Sequence, residues 1–431
     1  MNQICIVIFI MVKAATHSRF SGSIVGVVLV IVLTVPSRAF AKPVATGLSL
    51  AEARRLADTR APEVVTARNR IREAEASRIG TGVRLPVNPR LSVDARPGLD
   101  REARGAWGWA GNLDLLFEVT GAAGARRGEA EARVGVARAE ADVITLDARE
   151  EVSNAYLRVQ LSRLRVEQAR AAIGLAERLV EAAQHRSDAG AGTDIDLSAV
   201  RAELSERRAQ LHEADAERIE DEMRLRLLLA IAPEQTLSLS SAADEVRSAP
   251  ALAQVSAAAR ARRPDLIAVS ERIRSLSAAE DRLRKEAHPK VGVFFGLDSS
   301  PMSPMFGIAG LSAELPIAQR NQGPRAVIAS ERRTEVDRYT LVERELELAL
   351  RAAHGAHEAR FAEFTVLTKE GIPAAEERLR LIETGWRAGR FDVFRLTAAA
   401  QDLARLRTLR LDVLARLWTN RFRLERLAGE W

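Results

Sequence analysis

The stretch HPKVGVFFGL at residues 288–297 differs from the sequence on both sides of it. The flanking segments are rich in Arg, Ala, Glu and Leu, whereas this stretch alternates apolar residues with glycine and polar residues. The apolar series consists of Val291, Val293, Phe295 and Leu297. A period of two with one apolar face predicts a β-strand inside an otherwise helical chain.

The same alternation occurs at three other places. NPRLSV (88–93) begins one of them, and WGWAGNLDLLFEV (107–119) and MFGIAGLSAEL (305–315) are the others. Each half of the chain therefore predicts a hairpin, with strands at about 89–97 and 107–119 and at about 289–298 and 305–315. These hairpins fit either a small soluble β-domain or part of a transmembrane barrel, whose strands need about 9–11 residues.

A transmembrane barrel requires more strands than one chain supplies. Four strands do not close a barrel, and unpaired strand edges are excluded from hydrocarbon, so several copies would have to share one sheet. Two copies would supply eight strands and three copies twelve. The aromatic residues expected at the membrane interfaces of such a barrel are Trp107, Trp109, Phe117, Phe294, Phe295 and Phe306.

The two hairpins belong to two similar halves of the chain. APEVVTARNRI (61–71) is echoed by RPDLIAVSERI (263–273), NPRLSV by HPKVGV (288–293), and AGAGTDIDLSAVRAEL (189–204) by RAGRFDVFRLTAAAQDL (387–403). Order and spacing are both retained, including the proline and glycine positions. The sequence therefore predicts two repeats, at 42–250 and 251–431.

Long helices fill the rest of each repeat. We predict helices at 62–85, 124–188 and 193–231 in the first repeat and at 264–287, 325–388 and 392–428 in the second. Gly190 and Gly389 end the long helices, and Pro373 beside Gly371 predicts a kink. A short and a medium helix together match a long one in length, which predicts a mainly α fold with a long antiparallel helical tube and a β portion.

The N-terminus predicts export. Basic residues precede the apolar run IVGVVLVIVLTV (24–35), and small residues follow at Ala39 and Ala41, which is the layout of a signal peptide at 1–41. The alternative is a membrane anchor, but this run is shorter than the roughly 20 residues that span a bilayer. The single cysteine, Cys5, lies within the predicted signal, so we expect no disulfide and no lipid-modified cysteine in the exported chain.

Composition argues against several other classes of protein. The 64 basic and 58 acidic residues are interleaved, which suits solvated helix surfaces and does not predict a nucleic-acid-binding face. We find no nucleotide-binding loop and no nucleophile motif, so the sequence predicts no enzyme and no cofactor. His354 and His357 are spaced as two metal ligands on a helix would be, but two such residues without further ligands fit a helix surface better, and we predict no metal site.

The chain resembles the TolC-like outer-membrane efflux proteins over essentially its whole exported length. The resemblance rests on LSLAEARRLA (48–57), RLPVNPRLSV (84–93), LFEVTGAAGARRGEAEA (116–132), LPIAQRNQGPRAVIAS (315–330) and the two glycine-containing turns. It is nearest to the outer-membrane factors of heavy-metal exporters. It implies a homotrimer with a twelve-stranded barrel in outer-membrane lipid and a tunnel in the periplasm. It also implies two partners, an inner-membrane pump and a periplasmic adaptor, and a role in efflux or type I secretion.

The resemblance also implies two functional regions. The adaptor would contact the helical tips at Gly190, Ala191, Gly192, Thr193 and Asp194, and at Ala388, Gly389, Arg390, Phe391 and Asp392. Acidic side chains near the second tip narrow the tunnel in many relatives. Here the signs are mixed, and the entrance candidates are Asp194, Asp196, Asp392 and Arg395, with Glu203 as a further acidic residue. A periplasmic coiled-coil scaffold or adaptor without a barrel is the alternative function, and the transported substrate cannot be inferred from the sequence.

Overall fold

The computed structural model describes residues 47–97, 107–190, 192–240, 248–299 and 305–429. The predicted signal at 1–41, the hairpin loops at 98–106 and 300–304, and Ala191 lie outside these ranges. None of the helices in the described part of the chain combines the length and the apolar character needed to cross a bilayer.

The described residues form helices in both halves and one sheet. The first half has α1 (Leu50–Arg60), α2 (Pro62–Ala76), β1 (Arg90–Pro97), β2 (Trp107–Phe117), α3 (Ala122–Asp188) and α4 (Asp194–Leu228). The second half has α5 (Leu252–Arg262), α6 (Pro264–Glu286), β3 (Lys290–Ser299), β4 (Phe306–Glu314), α7 (Gln322–Val366), α8 (Ile372–Arg387) and α9 (Val393–Ala428). This architecture confirms the predicted fold class of a mainly helical chain with a small β portion.

The four strands form one antiparallel sheet in the order β1-β2-β3-β4. The two hairpins pair with each other through β2 and β3, so β1 and β4 are its edges. The helices that adjoin the strands follow the same order, since α2 packs on α3, α3 on α6, and α6 on α7. Farther from the sheet, α4 packs on α3, α3 on α9, and α9 on α7 and α8. One side of this layer therefore consists of β1, α2 and α4, and the other of β4, α7 and α8.

The first short helix is shorter than predicted. The sequence predicted a helix over 62–85, but α2 ends at Ala76 and turns occupy the next residues. Gly80 adopts a left-handed φ of 81°, and Pro86 and Pro89 follow. This run of backbone breakers stops the helix, whereas α6 at the corresponding place in the second half lacks them and continues to Glu286.

Two helices were missed in the sequence. They are α1 and α5, each of 11 residues, which precede the two short helices. The start of α1 is a capping box, in which the Glu52 N–H donates to Ser49 Oγ at 3.2 Å and the Ser49 N–H donates to Glu52 Oε2 at 2.9 Å. This Ser-x-x-Glu spacing was readable in the sequence as a helix start.

The break predicted near Pro373 takes the form of a π-helical turn at Leu367–Gly371. Pro373 has no N–H, so the normal hydrogen bond to the carbonyl four residues earlier is not made. The Ile372 N–H instead reaches back five residues to the carbonyl of Leu367. The second long helix is thereby divided into α7 and α8.

Candidate functional site

One face of the sheet is almost entirely apolar. Paired residues point to the same side, and the odd-numbered positions share this face. Its larger members are Leu91, Val93, Trp107, Trp109, Leu113, Leu115, Phe117, Val291, Val293, Phe295, Leu297 and Leu311. Several are strongly exposed, including Leu91 at 72%, Trp107 at 69% and Leu311 at 78%. An uncovered apolar surface of this kind marks an interaction site.

The even-numbered face is mostly polar. It carries Arg90, Ser92, Asp94, Arg96, Asn112, Asp114, Lys290, Asp298, Ser312 and Glu314. Arg96 Nη1 lies 3.1 Å from Asp298 Oδ2, and Lys290 Nζ lies 3.4 Å from Glu314 Oε2. The two faces therefore suit two different surroundings, one apolar and one aqueous.

The six aromatic residues predicted for the membrane interfaces are divided between the two faces of the sheet. Trp107, Trp109, Phe117 and Phe295 lie on the apolar face, but Phe294 and Phe306 are even-numbered and lie on the polar face. Phe294 pairs with Gly310, and its ring covers the space that a side chain at Gly310 would fill. The prediction treated both phenylalanines of the Phe294–Phe295 pair alike, although neighbouring strand residues point to opposite faces.

A partly buried ionic network lies where the sheet meets the helices. Arg126 Nη1 donates to Glu118 Oε1 at 2.8 Å and lies 3.7 Å from Glu286 Oε1. Arg282 pairs with Glu129 and donates to Glu286 Oε2 at 2.7 Å. The hydrogen bond from Arg126 to Glu118 is the main reason why the pKa of the Arg126 guanidinium is raised. The network joins the end of β2 to α3 and α6.

At the far end of the helices, both predicted tips are tight turns. Gly190 and Gly389 adopt left-handed φ angles of 71° and 75°, which glycine accepts without strain. The Gly389 N–H donates to the Trp386 carbonyl at 2.9 Å, and the Arg390 N–H donates to the Gly385 carbonyl at 2.8 Å. Ala191 belongs to the first tip by sequence but lies outside the described residues.

The two tips are joined to each other. Arg186 Nη1, at the end of α3, donates to the Trp386 carbonyl at 2.7 Å, and its guanidinium lies 5.4 Å from the centre of the Trp386 ring. Trp386 is buried in an apolar cluster that contains Leu197 of α4 and Leu396 of α9. No local pattern predicts this contact, because the two residues lie 200 positions apart.

Two of the predicted entrance residues cap helices. Asp196 forms a capping box with Thr193, in which the Asp196 N–H donates to Thr193 Oγ1 at 3.1 Å. Asp392 is the N-cap of α9 and accepts from the Arg395 N–H at 2.8 Å. Asp194 is exposed in the first turn of α4. These carboxylates stabilise helix starts, which accounts for an acidic residue at both tips without reference to transport.

The remaining charged candidates also have local partners. The Arg395 guanidinium lies 5.5 Å from the centre of the Phe391 ring, and that ring covers Gly385. Glu203 is buried and accepts from Arg207 Nε at 2.7 Å and from Gln401 Nε2 at 2.7 Å, so it links α4 to α9 and does not face open solvent.

Substitution of Asp392 separates its capping role from its charge. We expect the first-turn amides of α9 to exchange with deuterium about fivefold faster in Asp392→Ala, because loss of an N-cap acceptor costs roughly 1 kcal/mol. Asp392→Asn retains an acceptor and should leave exchange unchanged. Arg390→Ala, at an exposed neighbouring position, is the control. If amide exchange is accelerated equally in Asp392→Asn and Asp392→Ala, the capping role is wrong and the effect is due to the loss of charge.

An exposed apolar pair at the tips was missed in the sequence. Ile195 is 70% exposed and Phe394 is 54% exposed, and each stands two residues after the N-cap of its helix. The signal was readable as an apolar residue at the same offset in TDI and DVF. Each tip therefore carries one exposed apolar side chain close to its turn.

Three further ionisable groups are Asp402 near the tips and the two spaced histidines of α7. Hydrogen bonds from Arg405 and Arg378 lower the pKa of the Asp402 carboxyl near the tips, so it is a paired, ionised group. His357 is fully buried, and His354 Nε2 lies 3.0 Å from the Pro250 carbonyl. Among the residues that the structure describes, no three His, Cys, Asp or Glu side chains are grouped to hold a metal ion.

One family model and several solved structures match the chain. A family model described as outer membrane efflux protein matches residues 53–230, which include most of α1 and continue through α4. No curated protein matches the chain significantly. The matched segment includes the first hairpin and the first tip.

Solved structures extend the likeness to the whole described chain. CusC, studied for transmembrane channel formation, is 15% identical over 89% of this chain and 92% of its own, with a TM-score of 0.75. The outer membrane protein VceC of Vibrio cholerae is 15% identical over 88% of this chain and 96% of its own, with a TM-score of 0.72. The outer membrane channel MtrE of Neisseria gonorrhoeae is 16% identical over 88% and 89%, with a TM-score of 0.72.

These solved structures are outer-membrane proteins and channels. Residues 53–230 match the model of the outer membrane efflux protein family, and the chain as a whole has the fold of the TolC-like outer-membrane channels.

Proposed function

We propose that the chain is the outer-membrane exit duct of a tripartite efflux or type I secretion system and works as a homotrimer. The observation that carries the proposal is a four-stranded sheet with one exposed apolar face and two free edges. The duct is passive, since substrates are delivered by an inner-membrane pump through a periplasmic adaptor. The likeness to outer-membrane channels supports this role.

The dimensions of β2 suit the outer membrane. Its 11 residues begin at Trp107 and end at Phe117, so aromatic rings stand at both ends of the apolar face. Such a strand is roughly 33 Å long. At a tilt of about 40° it covers about 25 Å, which is the height of the apolar band of outer-membrane barrels. The odd-numbered face would contact lipid and the even-numbered face would line the lumen.

The free edges support association of several copies. Unpaired backbone groups of β1 and β4 would each cost several kcal/mol in hydrocarbon, so β4 of one copy should pair with β1 of the next. Eight strands, from two copies, leave an interior that side chains fill. Twelve strands, from three copies, leave room for an aqueous path, which favours the trimer.

The helix flanks support the same association. On α7, the exposed Val327, Leu341 and Leu348 are spaced by multiples of seven, opposite the buried Leu346 and Leu350. On α4, a second exposed series at the same spacing consists of Ile195, Ala202, Ala209, Ala216 and Met223. Seven-residue spacing is the pattern of helices that pack side by side. The free sides of α4 and α7 are therefore suited to packing against helices of adjacent copies.

The tips supply a surface for the adaptor. Gly190 and Gly389 expose backbone, and Ile195 and Phe394 add exposed apolar side chains beside them. A helical hairpin of a partner can approach such small residues closely. We place the adaptor contact here, and the tunnel entrance beside Asp194, Asp196, Asp392 and Arg395.

Cell fractionation with conductance measurement tests the proposal. We expect the expressed chain in the outer-membrane fraction, with gel migration that changes on heating because a trimeric barrel unfolds only when heated. The purified trimer should conduct ions across a planar bilayer. Recovery of the chain entirely in the soluble periplasmic fraction would instead support a scaffold without a barrel and would refute the duct.

A further inference from the structure

The apolar face of the sheet continues beyond the strands at the end where they join the helices. Val119 follows β2 and is 67% exposed, while Leu315 and Ile317 follow β4 and are 61% and 76% exposed. Val119 and Leu315 stand two residues after Phe117 and Ala313 of that face, and the Ile317 N–H donates to the Leu315 carbonyl at 2.9 Å. Val83, before β1, is 50% exposed. An apolar rim therefore extends the proposed lipid-facing surface toward the helices.

Two arginines stand within this rim. The Arg84 carbonyl accepts from the Glu118 N–H at 3.0 Å, which holds Val83 and Arg84 beside the end of β2 and its neighbour Val119. Arg126 Nη2 donates to the Val83 carbonyl at 2.9 Å and fixes the same segment from α3. The backbone of Arg84 is thus fixed, while its side chain is exposed.

The second arginine is Arg320, next to the other half of the rim. Its Nε donates to the Pro316 carbonyl at 3.0 Å, which keeps the guanidinium close to Ile317. Within the described ranges, neither Arg84 nor Arg320 is paired with a carboxylate.

We propose that this collar, formed by Val83, Arg84, Val119, Leu315, Ile317 and Arg320, binds anionic glycerophospholipids of the leaflet nearer the helices. The apolar residues lie at the level of the acyl chains, and the two guanidiniums bind headgroup phosphates, for which arginine geometry is suited. Charge complementarity and continuity with the apolar face favour a lipid occupant over a protein. This inference rests on the proposed membrane barrel.

Lipid selectivity tests the collar. Phosphatidylglycerol and phosphatidylethanolamine are supplied together to the purified full chain, and native mass spectrometry measures which lipid is retained. We expect the wild-type chain to prefer phosphatidylglycerol. Arg84→Gln with Arg320→Gln should reduce this preference roughly fivefold per arginine, as expected for a basic side chain at an anionic surface. Arg84→Lys with Arg320→Lys should retain most of it.

Arg170→Gln with Arg178→Gln is the matched control. These arginines are exposed on α3, far from the strands, and the double variant should keep the wild-type preference. Lipid A, which belongs to the opposite leaflet, is added to a second mixture. An unchanged preference in the Arg84→Gln/Arg320→Gln variant would overturn the inference, as would stronger retention of lipid A than of phosphatidylglycerol by the wild-type chain. Insertion into phosphatidylethanolamine vesicles is measured in parallel. If the wild-type chain inserts normally but shows no lipid preference, only the proposed lipid binding by the collar is wrong. If the wild-type chain fails to insert, the proposed duct is wrong as well.

Discussion

Replacing Leu341 and Leu348 with glutamate should abolish the trimer. Both side chains are exposed on the flank of α7 opposite its buried side, at 55% and 69%. Burial of one leucine contributes about 1.5–3 kcal/mol, so the two positions in three copies contribute roughly 10–20 kcal/mol per trimer. Glutamate loses this contribution and adds the cost of removing a carboxylate from water. Size-exclusion chromatography with light scattering in detergent would show monomers in place of trimers.

A matched variant places the same charges elsewhere on the helix. Arg333 and Thr340 are exposed on α7 about a quarter turn away from the leucines, on a side that a neighbouring helix would not cover. Arg333→Glu with Thr340→Glu should leave the trimer intact. Trimers of the Leu341/Leu348 variant that are as stable as wild type would show that this flank does not contact another copy.

Ala309→Arg should prevent insertion of the barrel, whereas Ile308→Arg should not. The two residues are neighbours near the middle of β4 but lie on opposite faces of the sheet. An arginine on the lipid side of a barrel near the bilayer midplane costs about 2–4 kcal/mol per site, and each trimer has three sites. On the luminal side the guanidinium stays in water. The heat-modifiable band and the outer-membrane fraction should be lost in the first variant only.

The Ala309→Arg and Ile308→Arg variants also distinguish a transmembrane barrel from a soluble β-domain. If the hairpins form a soluble β-domain that packs its apolar face on other protein, both variants would remain in the periplasm. No membrane insertion would then be detected for either variant. If Ile308→Arg blocks insertion and Ala309→Arg does not, the faces are assigned the wrong way round and the even-numbered side contacts lipid. The wild-type chain and Ser312→Arg, also on the even-numbered face, complete the set.

The strands and tips were predictable because their signals are local. Alternation in 291–297 follows from the pleat of a strand, and Gly190 and Gly389 mark turns that require left-handed backbone. The end of α2 was misplaced because residues 77–85 suit a helix in composition, although Gly80 and Pro86 stop it. Short helices such as α1 were missed because a single capping box marks their start, and they are too short to show a clear helical periodicity of apolar residues.

Contacts between distant segments were not predictable from one sequence. The bond from Arg186 to the Trp386 carbonyl and the pairing of Glu203 with Gln401 join helices from different halves. Nothing in local spacing relates such positions, since the same residue types occur along every helix.

Because the strands and the helices follow the same order across the layer, assembly of the proposed trimer is cooperative. Each copy has one side made of β1, α2 and α4 and another made of β4, α7 and α8. Two copies form one seam and still leave one of each side uncovered, whereas the third copy forms two seams at once. Its binding is therefore stronger than that of the second. Dimers should stay scarce at every concentration, and closing the ring in the membrane closes the helical layer in the same step.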